Sequence, residues 1–420
     1  MKKTTEHKSF NLYPRCQIVY GAKRAAIYNF ESGNVYSINK EGSGIIKEFC
    51  NRKINLNNKN NKTAIDFLLK LQKLGLGDFG KEKIKKEKKS KISIAPKPEL
   101  KFLWIEPTSS CNLRCIHCYA DSNNIIDKKE LSTDDCKNII LEASKLGCKS
   151  LQFIGGEPFL REDIFDLIKF ARIKKYSYVG IFTNATLLDK KKIKMLSDFN
   201  VDLKVSLYSH KPSIHDRITQ VNGSFSKTLR AIKLITKYNI GVEIAIIIMK
   251  HNQNNIRGLR TFLKQLNIKF RMPDIIRPTG RGIDKLLFPT NTNIKELRIL
   301  KRPDFMAMEE FFSYSNVWNS CWFGKLAITS SGNVIPCIFA RSQIVGNIRN
   351  KNLAQILASN KLSKLWRITK DKLNVCRDCE YRYACKDCRP LSYSTFGNLY
   401  AKSPRCTYNP YKGVWQKNIS

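Results

Sequence analysis

Between Leu100 and Gly282 short apolar runs alternate with longer amphipathic stretches. Residues 102–106, 150–154, 178–182, 203–207, 242–248 and 268–272 have the length and the aliphatic or aromatic character of buried strands. Between them, residues 132–146, 163–174, 189–196, 224–238 and 255–265 carry apolar positions near helical period. Strand and helix alternating six times is the signature of βα units, so this stretch is predicted to form a parallel sheet or barrel.

The flanks read differently. Residues 16–20, 24–30 and 33–39 are three short strand candidates, with Glu31-Ser32-Gly33 as the turn between the second and third. A helix is expected over 41–50, a polar loop over 51–62 and an amphipathic helix over 63–75, with Ile65, Leu68, Leu69 and Leu71 on its apolar side. Residues 81–91 hold seven Lys and two Glu, which reads as a solvated linker. Beyond Gly282 the alternation fades, and the last hundred residues are rich in Cys, aromatic residues and turns. Bound metal would supply the stability that a small core lacks. The expected organisation is a small α+β domain over 1–80, a basic linker over 81–98, an α/β core over 99–285 and a Cys-rich domain over 286–420.

Composition narrows the class. A hydrophobic fraction of 42% in 420 residues excludes global disorder. The longest aliphatic run, near Ile244–Ile248, is far short of the roughly 20 residues of a membrane span. The N-terminus has no apolar signal region, so a cytoplasmic protein without a membrane partner is expected. With 75 Lys plus Arg against 35 Asp plus Glu, the formal charge is +40. Such a balance attracts anionic partners, but the lysines are scattered along the chain and compositional drift is the plainer reading. Charge alone selects no function.

The fourteen cysteines say more. Cys111, Cys115 and Cys118 form C-x3-C-x2-C directly after the first core strand. Three thiolates on one loop can hold three irons of a cubane and leave the fourth open. A structural zinc site takes four ligands, usually in C-x2-4-C pairs from two separated places. The second run comprises Cys321, Cys337, Cys376, Cys379, Cys385, Cys388 and Cys406, seven cysteines and thus an awkward number for whole zinc sites. Such clusters in a cytosolic chain indicate metal or redox chemistry rather than disulfides. Cys16, Cys50, Cys136 and Cys148 read as structural thiols. The five histidines are scattered and receive no role.

The segment from Glu106 to Tyr119 resembles the cluster motif of the radical S-adenosylmethionine (SAM) enzymes, and the resemblance extends over roughly residues 100–280. It implies a partial (β/α)6 TIM-type barrel. It also implies a [4Fe–4S] cluster on Cys111, Cys115 and Cys118 whose open iron chelates SAM. Reductive cleavage then yields a 5′-deoxyadenosyl radical, fed by an electron donor such as flavodoxin or ferredoxin. Tyr119 sits where the family places an aromatic residue near the adenine. Gly155-Gly156-Glu157-Pro158 resembles the family's motif for the SAM amino group; by the same resemblance Ser206 and Arg217 bind its carboxylate or ribose. The loop from Arg277 to Gly282 resembles one in peptide-modifying members.

The second cysteine run resembles the SPASM extension, which holds two auxiliary [4Fe–4S] clusters. By that resemblance Cys376, Cys379, Cys385 and Cys406 complete one, and Cys321, Cys337 and Cys388 hold the other. The spacing departs from the family's common C-x5-C-x3-C, because only two residues separate Cys385 from Cys388. Where members with a fully ligated first auxiliary cluster carry another Cys, this chain has Ser315. That leaves an open iron, a non-Cys ligand or a different nuclearity.

The first eighty residues resemble the winged-helix-like recognition element of ribosomal-peptide maturases, which binds a leader peptide as an added strand. The leading expectation is therefore a radical SAM/SPASM maturase of a ribosomally made precursor, forming a thioether, a carbon–carbon crosslink or an epimerised residue. A sulfatase-type formylglycine maturase is the second enzyme reading. A basic zinc-ribbon nucleic-acid-binding protein is the alternative of another class; it leaves Cys111–Cys118 and Gly-Gly-Glu-Pro unexplained, so a nucleic-acid partner is not expected.

Overall fold

The structure, a computed structural model, describes residues 7–50, 52–55, 59–80, 99–125, 127, 129–290 and 305–415. The lysine-rich segment expected as a linker over 81–98 lies outside these residues.

Two three-stranded antiparallel sheets open the chain. One orders β1 (His7–Leu12), β5 (Lys53–Asn55) and β6 (Gly77–Gly80) as β5-β1-β6; the other orders β2 (Cys16–Tyr20), β3 (Ala25–Asn29) and β4 (Val35–Ile38) consecutively. The second sheet is the trio expected from the sequence. The first is not visible in the pattern, because β5 is three residues long and β6 reads Gly-Asp-Phe-Gly. Helix α1 (Lys40–Phe49) begins at Asn39, whose side chain accepts the Gly42 amide at 2.9 Å. Such a cap contributes about 1 kcal/mol. Ile46 of α1 and Leu68 and Leu71 of α2 (Lys62–Lys73) close over Phe10, Ala25 and Ile27. Strand β3 is buried throughout. Ala25 and Ile27 face this core, while Ala26 and Tyr28 face Tyr381, Ala384 and Tyr408 near the C-terminus.

The core follows the expected alternation. Strands β7 (Phe102–Thr108), β8 (Ser150–Gly155), β9 (Tyr178–Thr183), β10 (Asp202–Ser206) and β11 (Val242–Ala245) are parallel neighbours in chain order. A short parallel pair, β12 (Ile247–Ile248) with β13 (Asp274–Ile275), continues the wall. The sixth strand, expected over 268–272, is displaced: only Phe270 bridges to Ile244 there, and regular pairing resumes at Asp274. Pro273 breaks the run because it has no amide to donate to the ladder.

Helices α3 (Thr133–Lys145), α4 (Ile164–Ile173), α5 (Lys190–Asp198), α6 (Pro212–Thr219), α7 (Ser224–Lys237) and α8 (Ile256–Gln265) connect or cover the strands. In α3 a capping box joins Ser132 and Asp135, and Cys136, Ile139, Ile140 and Ala143 form the buried stripe. The eight-residue α6, with Pro212 in its first turn, was not expected from the sequence.

The Cys-rich region does not stand apart from the core. Strand β14 (Lys325–Ile328) pairs in parallel with the free edge of β7, and β15 (Asn333–Ile335) and β16 (Gly346–Asn347) extend the sheet antiparallel to eight strands. Helices α9 (Glu309–Val317), α10 (Leu353–Leu357), α11 (Asn360–Trp366) and α12 (Arg389–Phe396) follow. Trp318, Trp322, Phe323 and Trp366 join the main core cluster.

Candidate active site and cluster sites

Parallel strands deliver their C-terminal ends to one side, where loops are free to carry chemistry. Here that side holds a cavity lined by Cys111, Cys115, Cys118, Tyr119, Gly155, Gly156 and Ser206, all singled out from the sequence. Thr183, Asn184, Tyr208, His117 and Arg277 complete the wall around the cysteines.

The cysteine loop is held by its own backbone. Cys111 N donates to Asn123 O at 2.6 Å, Arg114 N to Thr219 O and Ile116 N to Ile218 O, each at 3.0 Å. The Leu113 and Ser122 amides point at Cys111 and Cys118 sulfur, both at 3.4 Å. Asn184 Nδ2 lies 3.8 Å from Cys111 Sγ. Burial pushes the Cys111 thiol up to about 12 and Cys115 higher still, with the neighbouring cysteines adding to the rise in Cys115. Buried thiols of this kind become thiolates when a metal supplies the positive charge, because a coordinating thiol is deprotonated. Among the described residues, no three His, Cys, Asp or Glu are arranged to hold a single metal ion. Three cysteines at one cavity, free of disulfides, fit an iron–sulfur donor set.

Gly155, at φ +123°, ends β8 in a conformation that side chains disfavour; a Cβ there would stand 2.6 Å from Thr108 O. This brings the β8 turn against β7, where the Gly156 amide donates to Thr108 O at 3.0 Å. Glu157 is fully buried and does not itself line the cavity. Its carboxylate accepts Thr183 Oγ1 at 2.7 Å, Asn184 N at 2.8 Å and Phe159 N at 3.2 Å. Burial raises it to about 7 against the pull of these donors. Glu157 thus organises Thr183 and Asn184, and Pro158 is buried in the turn that follows. Ser206 lines the cavity with its hydroxyl bonded to that of Tyr208. Arg217 is not brought to the site: it is exposed on the last turn of α6.

Beside this cavity the buried Glu106 is doubly bonded to the half-buried Arg341 at 2.7 and 2.8 Å, and Tyr119 donates to Glu106 at 3.3 Å. Tyr119 is thereby fixed just after Cys118. His117 was given no role from the sequence, yet it lines the cavity against Tyr208 with its Nδ1 unpartnered. Burial, then the Arg281 charge, pulls it down to about 3, so it is neutral near pH 7.

The other seven cysteines fall into two groups. Cys376, Cys379, Cys385 and Cys406 line one small cavity with Lys370 and Lys402. Cys321, Cys337 and Cys388 form the second group: the Cys321 thiol bonds to Cys388, and Cys337 lies within electrostatic reach of both. Cys388 is the one held down, by that hydrogen bond and then by the Arg277 charge, while Cys321 is pushed up. Ser315 is buried with its hydroxyl 3.1 and 3.2 Å from the Phe312 and Tyr383 carbonyl oxygens. Cys16, Cys136 and Cys148 are buried structural thiols, and Cys50 is half-buried.

The chain matches the radical SAM superfamily over residues 105–266 and the SPASM iron-sulfur cluster-binding domain over residues 321–380. It is 26% identical over 351 residues to the AdoMet-dependent heme synthase of Methanosarcina barkeri, spanning 76% of this chain and 99% of that protein. It is 25% identical over 331 residues to the antilisterial bacteriocin subtilosin biosynthesis protein AlbA of Bacillus subtilis, spanning 74% of this chain and 70% of that one. Its fold is similar to Streptococcus suis SuiB bound to precursor peptide SuiA, at TM-score 0.57 and 17% identity, over 93% of this chain and 98% of that chain. Both domain matches imply SAM and [4Fe–4S] clusters as cofactors, and they fall on the two cysteine-bearing parts of the chain. This chain is a radical SAM enzyme whose SAM-cleaving core is followed by a SPASM domain.

Proposed function

We propose that the enzyme matures a ribosomally synthesised precursor peptide, with the N-terminal unit binding its leader. The observation that carries this is the outer edge of β4, with which no strand pairs among the described residues. The opposite end of the same sheet is occupied: Arg382 Nη1 donates to Tyr20 O at 2.9 Å, and Ala22 N to Asp378 O at 2.8 Å. The β4 edge is therefore open to an extended peptide joining by main-chain hydrogen bonds. The likeness to AlbA, named for subtilosin biosynthesis, supports the same reading.

In this reading Cys111, Cys115 and Cys118 hold the SAM cluster, and the other two cysteine groups hold auxiliary clusters. Bound there, cluster and SAM supply the reductive cleavage that starts the reaction. The chain's own residues do the rest. Gly155 and Gly156 bring backbone to the ligand, Tyr119 and Ser206 line it, and Phe182, Ile247, Ile276 and Phe339 exclude water. The domain division at residues 1–80, 99–285 and 286–420 and a cytoplasmic location belong to this reading; no helix among the described residues is long and apolar enough to cross a membrane.

A second reading has its own support. The relative spanned at 99% of its length is named a heme synthase, so a tetrapyrrole substrate is the competitor. That relative and AlbA each leave about a quarter of this chain unmatched. The test uses the anaerobically reconstituted full chain with SAM and dithionite, given either a candidate precursor peptide or Fe-coproporphyrin III. A SAM-dependent mass change, or deuterium uptake from solvent at one residue of the peptide, supports the first reading. Heme formation with an unaltered peptide overturns it.

A further inference from the structure

One six-residue loop touches both kinds of cluster site. At its far end Arg281 grips the SAM-cluster loop: its amide donates to Cys118 O at 3.0 Å, and its side chain donates to Cys115 O and Ser122 O, both at 2.9 Å. It also pairs with Asp121 at 2.7 Å. At the near end, Arg277 Nη1 donates to Cys388 Sγ at 2.8 Å.

The Arg277 side chain has little freedom. Its Nη2 donates to Asp274 Oδ2 at 2.9 Å, and Arg405 holds the other oxygen of Asp274 at 2.5 Å. The guanidinium lies over the Phe339 ring, 4.3 Å from its centroid. Phe339 follows Cys337 by two residues and meets Tyr119 edge-on at 5.3 Å. Arg277 is also the only Lys, Arg, Asp or Glu among the residues lining the SAM cavity. A guanidinium stays charged in proteins, so this is a fixed positive charge between two cysteine groups.

We propose that Arg277 is a positioning residue for the auxiliary cluster of Cys321, Cys337 and Cys388, setting its reduction potential through a charge-assisted hydrogen bond to the Cys388 sulfur. The inference rests on the reading that these three cysteines hold a cluster. Hydrogen bonds to the sulfurs, local charge and burial are what set such potentials. Reduction adds negative charge, and a cation with an N–H aimed at a ligand sulfur stabilises the reduced form. Arg277 therefore raises the potential of this cluster, and the cluster at Cys376, Cys379, Cys385 and Cys406 is left alone. The neighbouring carboxylate of Asp274 offsets part of the charge but keeps the fork aimed at Cys388.

The experiment uses the full chain with Cys111, Cys115 and Cys118 changed to Ala, so that only auxiliary clusters contribute. Potentiometric titration followed by electron paramagnetic resonance compares Arg277 with Arg277→Lys and Arg277→Gln. One of the two auxiliary signals is expected to move to lower potential in Arg277→Gln and by less in Arg277→Lys, with the other signal unmoved. Unchanged potentials in both variants, at unchanged iron content, overturn the proposal. So does loss of the cluster from Arg277→Gln together with an unchanged potential in Arg277→Lys. A Cys388→Ala variant separates the two failures: if it keeps all the auxiliary iron, the ligand assignment is wrong rather than the role of Arg277.

Discussion

The Tyr28 hydroxyl donates a 2.8 Å hydrogen bond to the carbonyl oxygen of Glu380, 352 residues later in the chain. Glu380 stands between Cys379 and Cys385, so the N-terminal sheet is bonded directly to a cysteine loop. Its side chain accepts from Tyr408, two residues after Cys406. Apolar packing of Ala26 and Tyr28 against Tyr381, Ala384 and Tyr408 completes the contact.

Gly21 tests that contact. A Cβ at this position would stand 2.7 Å from Glu380 Oε2 and 2.8 Å from Glu380 N. Backbone cannot yield as a flexible side chain does, so Gly21→Val is expected to cost about 1–3 kcal/mol by overpacking. Faster limited proteolysis of the N-terminal unit and a lower thermal midpoint should follow. A variant as resistant as the parent would show that the two parts are not held at this turn.

Changing Cys111, Cys115 and Cys118 together to Ala is expected to abolish 5′-deoxyadenosine formation. None of the other seven cysteines lines the cavity of these three, so the reconstituted variant should keep about eight irons per chain, four for each cubane. Iron analysis with product chromatography reads both quantities. Normal SAM cleavage by the variant would refute the cluster assignment.

Peptide addition to β4 has a specific chemistry. The Asn29 amide donates to Asn34 O at 2.9 Å, and hydrogen-bonded pairs alternate along an antiparallel ladder. The outward N–H groups of β4 are therefore those of Val35 and Ser37. Ser37→Pro removes one without touching the backbone bonds to β3, and Ser37→Ala, which loses the hydroxyl and its 2.9 Å bond from Arg24 Nε but keeps the amide, is the control. Isothermal titration with the candidate leader should show binding weakened about tenfold, the effect of roughly 1.4 kcal/mol, with circular dichroism unchanged. Undiminished affinity would exclude this edge. Deleting the whole unit is a poorer test, because it uncovers Tyr381 and Tyr408.

Arg341 holds Glu106 beside the cavity lined by Cys111, Cys115 and Cys118. Burial pushes the Glu106 carboxyl up, and the Arg341 charge opposes that rise. Arg341→Ala strands a buried acid and is expected to cost about 3–5 kcal/mol. Pairing it with Glu106→Gln should recover part of the loss in thermal unfolding. No recovery in the double variant would show that the loss comes from something other than an unpaired Glu106.

The elements most legible in the sequence are those whose signal is local. The strands ending in Thr108, Gly155, Thr183 and Ser206, and the helices between them, follow from periodicity over a few residues. The sixth strand was misplaced because Pro273 breaks a ladder that its apolar neighbours suggest. The C-x3-C-x2-C spacing likewise marked the cluster loop without any structure. Arg217 and Glu157 were drawn from motif position, which carries no information on where a side chain turns. Glu157 turns to Thr183 and Asn184, and Arg217 turns to solvent.

By itself the sequence determined the first five βα units, the three-cysteine loop and the second cysteine run, because periodicity and spacing are written within short stretches of chain. Tertiary structure alone decided which distant pieces meet. Lys325–Ile328 finds the free edge of β7, the β2–β3 turn finds Glu380, and Arg277 reaches Cys388. Each contact joins residues more than a hundred positions apart and gains its energy only once both partners are folded and water is excluded. No local pattern records that pairing.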